Sequence, residues 1–145
     1  MLTNKSVFVL GLGALLTGCV SGTVDLAGDT KSEDLAIITA AKRFYLISSY
    51  QCGIVYADGD SMDSSIGVRT VKVNEGLHDL TVQCNFIIPN LVNRVYIGHL
   101  SFLAQAGHEY TVLYEALRQC IVVIDEESDT EMDANCDLGG YAVPF

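Results

Sequence analysis

From Gly53 onward, apolar and polar side chains alternate in short runs separated by Gly, Asn, Asp and Ser, the two-residue period of half-buried strands. Strands are predicted near residues 53–57, 67–73, 77–85, 94–104, 108–115 and 119–126, with one more near 131–136. In the third run Leu80, Val82 and Cys84 share one face, while Asp79, Thr81 and Gln83 share the other. Tyr110, Val112 and Tyr114 oppose Glu109 and Thr111 in the same way. Residues 121–124 are apolar on both faces, which predicts a strand placed centrally in a sheet. Residues 35–47 admit two readings. Thr30-Lys31-Ser32-Glu33 has the form of a capping box that would start a helix through Ala40, whereas Leu35-Ala36-Ile37-Ile38-Thr39 reads as a buried strand, and strand is preferred. Residues 20–34 are small, polar and without period, the composition of a flexible tether. The fold class expected is all-β, a small antiparallel β-sandwich of about seven strands over residues 35–145.

The first 18 residues follow a different pattern. Lys5 precedes an unbroken apolar and glycine run over residues 7–16, the length of a secretory leader's hydrophobic region. A spanning helix needs roughly 20 apolar residues, so a membrane-crossing segment is not expected. The run ends in Leu16-Thr17-Gly18-Cys19, which resembles the lipobox of bacterial membrane lipoproteins. That resemblance implies a signal peptide over residues 1–18 and a lipidated N-terminus and tether over 19–34. Cys19 would carry a diacylglycerol and an N-acyl chain such as palmitate, with no other cofactor. Two or three acyl chains give stable anchoring, since each buried CH₂ contributes about 0.8 kcal/mol. Val20 stands where Asp would imply retention in the inner membrane, so the implied address is the cell outer membrane, facing the periplasm.

Residues 53–84 resemble the small β-modules of the PEGA type. The likeness rests on Val55-Tyr56-Ala57-Asp58-Gly59, Val71-Lys72-Val73 and Gly76-Leu77-His78-Asp79-Leu80-Thr81-Val82. The chain lacks the Thr-Pro that usually precedes the middle strand of those modules. The resemblance implies a hairpin-rich module and no particular activity.

Charge narrows the partners. The formal net charge is −10, and loss of Lys5 with the leader makes the mature chain more acidic still. The remaining cations, Lys31, Lys42, Arg43, Arg69, Lys72, Arg94 and Arg118, form no run in the sequence. Nucleic acid is therefore not an expected partner, because its recognition rests on clustered Lys and Arg.

With Cys19 assigned to lipid, Cys52, Cys84, Cys120 and Cys136 form an even set in a chain bound for an oxidising compartment. Four cysteines allow three connectivities. A hairpin centred near Ser128 would set Cys120 opposite Cys136, and elimination leaves Cys52 with Cys84. Cys84 lies on the apolar face of its strand and Cys52 has the parity of Ile54, so this second bridge is expected to point into the core and to tie the two sheets together. Buried free thiols remain the other reading for both pairs.

His78, His99 and His108 show no zinc-ligand spacing, so no metal is expected, and they read as packed or hydrogen-bonded side chains. The acidic stretches over residues 58–63 and 125–133 lack the calcium-loop order and read as solvated turns. No nucleophile elbow, His-Glu-x-x-His or phosphate loop is present. The function expected is that of a membrane-anchored periplasmic lipoprotein, a non-enzymatic binding or accessory module with an envelope protein partner. A small-ligand or ion-binding lipoprotein is the alternative, and a hydrolase without a recognisable motif a more distant one.

Overall fold

The computed structural model describes residues 22–62 and 66–144. Two sheets pack face to face. The first orders β1 (Thr23–Asp25), β6 (Thr70–Val73), β2 (Ala36–Ala40), β9 (Glu109–Glu115), β10 (Cys120–Asp125) and β11 (Thr130–Asn135) as β1-β6-β2-β9-β10-β11. The second orders β12 (Gly139–Ala142), β8 (Val92–Ala104), β7 (Gly76–Ile88), β4 (Ser49–Ala57) and β3 (Lys42–Phe44) as β12-β8-β7-β4-β3, with β5 (Asp60–Ser61) folded onto β4.

The all-β sandwich is thus the observed fold. Its strands exceed the seven expected because several span only two to five residues, too few to show a period. The second sheet is antiparallel throughout, whereas the first contains two parallel pairs, β1 with β6 and β2 with β9. Ala36–Ala40 and Lys42–Phe44 form strand, as preferred, whereas residues 45–47 turn, and the capping-box residues contribute only a single 3₁₀ turn at Ser32–Asp34.

The tether expectation is corrected over residues 23–34. Val24 and Leu26 pack against the core, Ala27 is buried, and β1 bonds in register to β6, so residues from Gly22 on already belong to the folded body. The apolar alternation Val24, Leu26 was there to be read, but β1 is too short for its period to stand out.

Alternation explains the core. Ile38, Val71, Val112, Ile121 and Val123 from the first sheet meet Ile54, Leu80, Val82, Leu100 and Phe102 from the second, all buried. The faces expected for Leu80, Val82 and Cys84, and for Tyr110, Val112 and Tyr114, are the buried ones. β10 is buried on both faces, Val122 as well as Ile121 and Val123, although it lies one strand in from the sheet edge rather than centrally. Gly98 of β8 lets the sheets approach: a Cβ there would lie 2.9 Å from Leu138 Cδ2 and 3.1 Å from Ile121 Cδ1.

Ala41 is the hinge between layers. Its N–H donates to Val112 O in the first sheet and its carbonyl accepts from Cys52 N–H in the second, so β2 and β3 are one strand bent across the sandwich. The sandwich therefore has two unlike ends. The turns β3–β4, β7–β8 and β9–β10 lie at one, and β4–β5, β6–β7, β8–β9 and β10–β11 at the other.

Candidate functional site

Both disulfides are formed. Cys120 and Cys136 join β10 to the end of β11, and the register Ile121↔Asn135 sets them opposite each other as the hairpin argument requires. Cys52 and Cys84 are bonded and buried, but they are direct partners on the adjacent strands β4 and β7. This corrects the expectation of a bridge between sheets: parity gives the face of a cysteine and says nothing of its neighbouring strand. Cys19 lies outside the described residues, as does Asp63 of the first acidic stretch.

The histidines gather at the turn-rich acidic end or near it. His108 Nδ1 donates to Asp125 Oδ2 at 2.8 Å, and Asp125 Oδ1 accepts the Glu127 N–H at 2.9 Å. Asp125 is only 3% exposed, so the reading of residues 125–133 as wholly solvated fails at its first residue. Burial pushes the Asp125 carboxyl up, but the hydrogen bonds from His108 and from the N–H groups of Glu127 and Ser128 outweigh it and hold it below the usual carboxylate range. The pair pins the β8–β9 connection to the β10–β11 turn. Tyr110 reinforces it, its hydroxyl accepting Gln105 N–H at 2.8 Å, and burial raises that phenol.

His78 sits between two turns. Nδ1 faces Asp58 Oδ2 and Nε2 faces the Asn74 carbonyl, each at 2.6 Å, so the ring bridges the two turns. Asp58 also accepts Asp79 N–H at 2.9 Å. A hydrogen-bonded structural role for His78 and His108 agrees with the sequence reading. His99 Nδ1 lies 3.0 Å from Thr81 Oγ1 on the outer face of the second sheet, in a shallow depression bordered by Tyr56, Ser101 and Asp133.

A second depression on that sheet, about 220 Å³, is lined by Gln51, Gln83 and Asn85 with Lys42 and Ile66. Gln51 and Asn85 are cross-strand partners, and among the described residues Gln51 Nε2 and Asn85 Oδ1 are buried without a hydrogen-bond partner. Sequence reasoning missed this pair, whose only signal is two amides that the β4–β7 register sets side by side.

At the other end an aromatic cluster closes the core. Tyr114 stacks on Tyr96 at 4.9 Å, lies 5.7 Å from Phe86 and meets the edge of Tyr50 at 6.0 Å. Burial, with a hydrogen bond to Tyr96, raises the Tyr114 phenol far above its ordinary value. Above the cluster opens a groove of about 480 Å³ between the β3–β4 and β9–β10 turns, walled by Tyr45, Leu113 and Leu117. Arg118 in the second turn donates to Glu115 and to Glu131, which lowers the Glu115 carboxyl.

Among the described residues no three His, Cys, Asp or Glu side chains gather to hold a metal ion, and no helix is long and apolar enough to cross a membrane. No protein-family model, curated protein or solved structure matches the chain.

Proposed function

We propose that this chain is a lipid-anchored envelope protein, a disulfide-bonded sandwich held at the outer membrane by Cys19 and serving as a non-enzymatic binding or accessory module. The observation that carries this reading is how near to Cys19 in the chain the folded body reaches. Gly22 O already accepts Thr70 N–H, three residues after the lipobox cysteine, so lipid on Cys19 would hold a folded domain directly at the bilayer. Mass analysis of the mature N-terminus and fractionation of the membranes test it. Cys19→Ser should abolish the acyl mass and either release the protein into the periplasm or leave uncleaved precursor. Processing and membrane retention of that variant without any acyl mass would refute the anchor.

The small-ligand reading is favoured by one observation, the unpartnered Gln51 Nε2 and Asn85 Oδ1 of two residues that line the depression. Buried polar groups ordinarily find partners. Such a pair suits a small polar molecule that both donates and accepts. Amide chemical-shift mapping against small polar solutes checks this, and no perturbation at residues 51 and 85 at about millimolar solute would remove it.

A further inference from the structure

The β3–β4 turn carries no Gly, Pro, Asn or Asp. It presents Phe44, Tyr45, Leu46 and Ile47 in succession, with Phe44 73% and Leu46 101% exposed. Leu117, 97% exposed in the β9–β10 turn, and Leu91 in the β7–β8 turn stand at the same end. Single exposed apolar residues are ordinary, whereas six on three neighbouring turns form a surface that water does not favour.

Charge divides the molecule the same way. Residues 42–50, 86–94 and 113–120, which make this end, contain Lys42, Arg43, Arg94 and Arg118; Glu115 is the one acidic residue within these ranges, and Arg118 is paired with it and with Glu131. The turns of the opposite end, residues 57–60, 74–76, 105–109 and 125–129, contain Asp58, Asp60, Glu75, Glu109, Asp125, Glu126, Glu127 and Asp129 with no Lys or Arg. An acidic protein thus keeps cations around its apolar tip, the combination that suits an anionic lipid surface.

The chain path agrees. β2 runs through Ala41 into β3 and on to the apolar tip; β6 is antiparallel to β2, and β1 is parallel to β6. β1 therefore runs away from the apolar end, and the chain preceding it comes from that side. Thr23 is level with Thr70 and Thr39. Thr39 stands five residues, about 16 Å of strand, short of Phe44. Four residues back from Thr23, Cys19 is at most about 14 Å away, so an extended chain would bring it within a few ångströms of the level of Phe44. To bring the acyl chains to the acidic end, the same residues would have to double back along β1.

We propose that the apolar, basic end of the sandwich docks into an anionic phospholipid surface, with Leu46, Ile47 and Leu117 entering the acyl boundary and Arg43 and Arg94 meeting headgroup phosphates. The geometry of approach rests on the lipid-anchor reading, while the surface chemistry is independent of it.

The chain has no tryptophan, so one introduced indole reports without background. In the lipidated mature protein, Leu46→Trp reconstituted in phosphatidylethanolamine–phosphatidylglycerol vesicles should emit at shorter wavelength than in detergent-free buffer and be quenched by bromine on the acyl chains. Leu77→Trp, at the acidic end, should do neither. Trp fluorescence at position 46 that stays water-like in protein that floats with the vesicles would overturn the proposal. So would a blue shift already complete without lipid, which would mean that a second copy covers the tip. The unlipidated mature chain carrying Cys19→Ser separates the two readings. It should float with phosphatidylglycerol vesicles and not with pure phosphatidylcholine, lose about fivefold in partitioning per neutralised Arg, and lose at least tenfold with Leu46→Ser and Ile47→Ser together. Unchanged flotation of that double variant would overturn the docking surface. Absence of acyl mass on Cys19 would overturn the anchor alone.

Discussion

Asp125 is a buried carboxylate with three tasks: it accepts from His108, caps the β10–β11 turn through Glu127 N–H, and sits opposite Tyr110 in the β9–β10 ladder. Asp125→Asn preserves shape and the turn bond through its carbonyl oxygen but removes the charge that His108 addresses. A hydrogen bond to a charged group contributes about 1.5–3 kcal/mol net, so a loss near 2 kcal/mol is expected. For a body of this size that lowers Tm by about 6–10 °C. Urea unfolding followed by far-ultraviolet circular dichroism measures it. The pH dependence is the sharper test. The native carboxyl is held below its ordinary value, so the wild type's advantage is complete above the unfolded Asp value of about 3.9 and is lost as pH falls through the lower folded value. The gap between wild type and variant should be present at neutral pH and close towards about pH 2 as the native carboxyl protonates. A gap below about 0.5 kcal/mol at neutral pH, or one that persists unchanged in strong acid, would refute the reasoning.

Replacing Cys52 and Cys84 together by Ala removes a bridge spanning 32 residues, with an expected cost of about 3–4 kcal/mol. Alkylation of the unreduced wild-type protein should find Cys52, Cys84, Cys120 and Cys136 all blocked; free thiols there would contradict both bridges. Gly140 has φ +149°, and a Cβ on it would overlap the Val95 carbonyl oxygen. Gly140→Ala should therefore detach β12 and expose the outer amides of β8 to hydrogen exchange, with about 1–3 kcal/mol lost. Unchanged protection at Val95 and Ile97 would show that the strand can shift to accept the methyl.

The sequence displayed what repeats along one strand and concealed what depends on two. The period-two faces of β7 and β9 were legible because each strand is long and one-sided, and the Cys120–Cys136 pair because a single hairpin sets its register. β1 was not, since its partner β6 lies more than 40 residues away and no local pattern announces a parallel pair. The β3–β4 turn was hidden for the opposite reason: Tyr45, Leu46 and Ile47 look like strand and are turn. The burial of Asp125 was invisible for a similar cause, because a carboxylate heading an acidic run reads as solvated until the ladder brings His108 to it.

β8 is thirteen residues long, and β12 covers its outer rim only from Arg94 to Ile97. Further along, β11 closes the rim with side chains: Asp133 Oδ2 accepts Ser101 N–H at 2.7 Å, and Asn135 Nδ2 donates to His99 O at 3.1 Å. An open strand of that length is a template for joining another chain edge to edge. By filling two rungs of the ladder with groups that cannot extend it, β11 closes this stretch of β8 to a strand from another molecule.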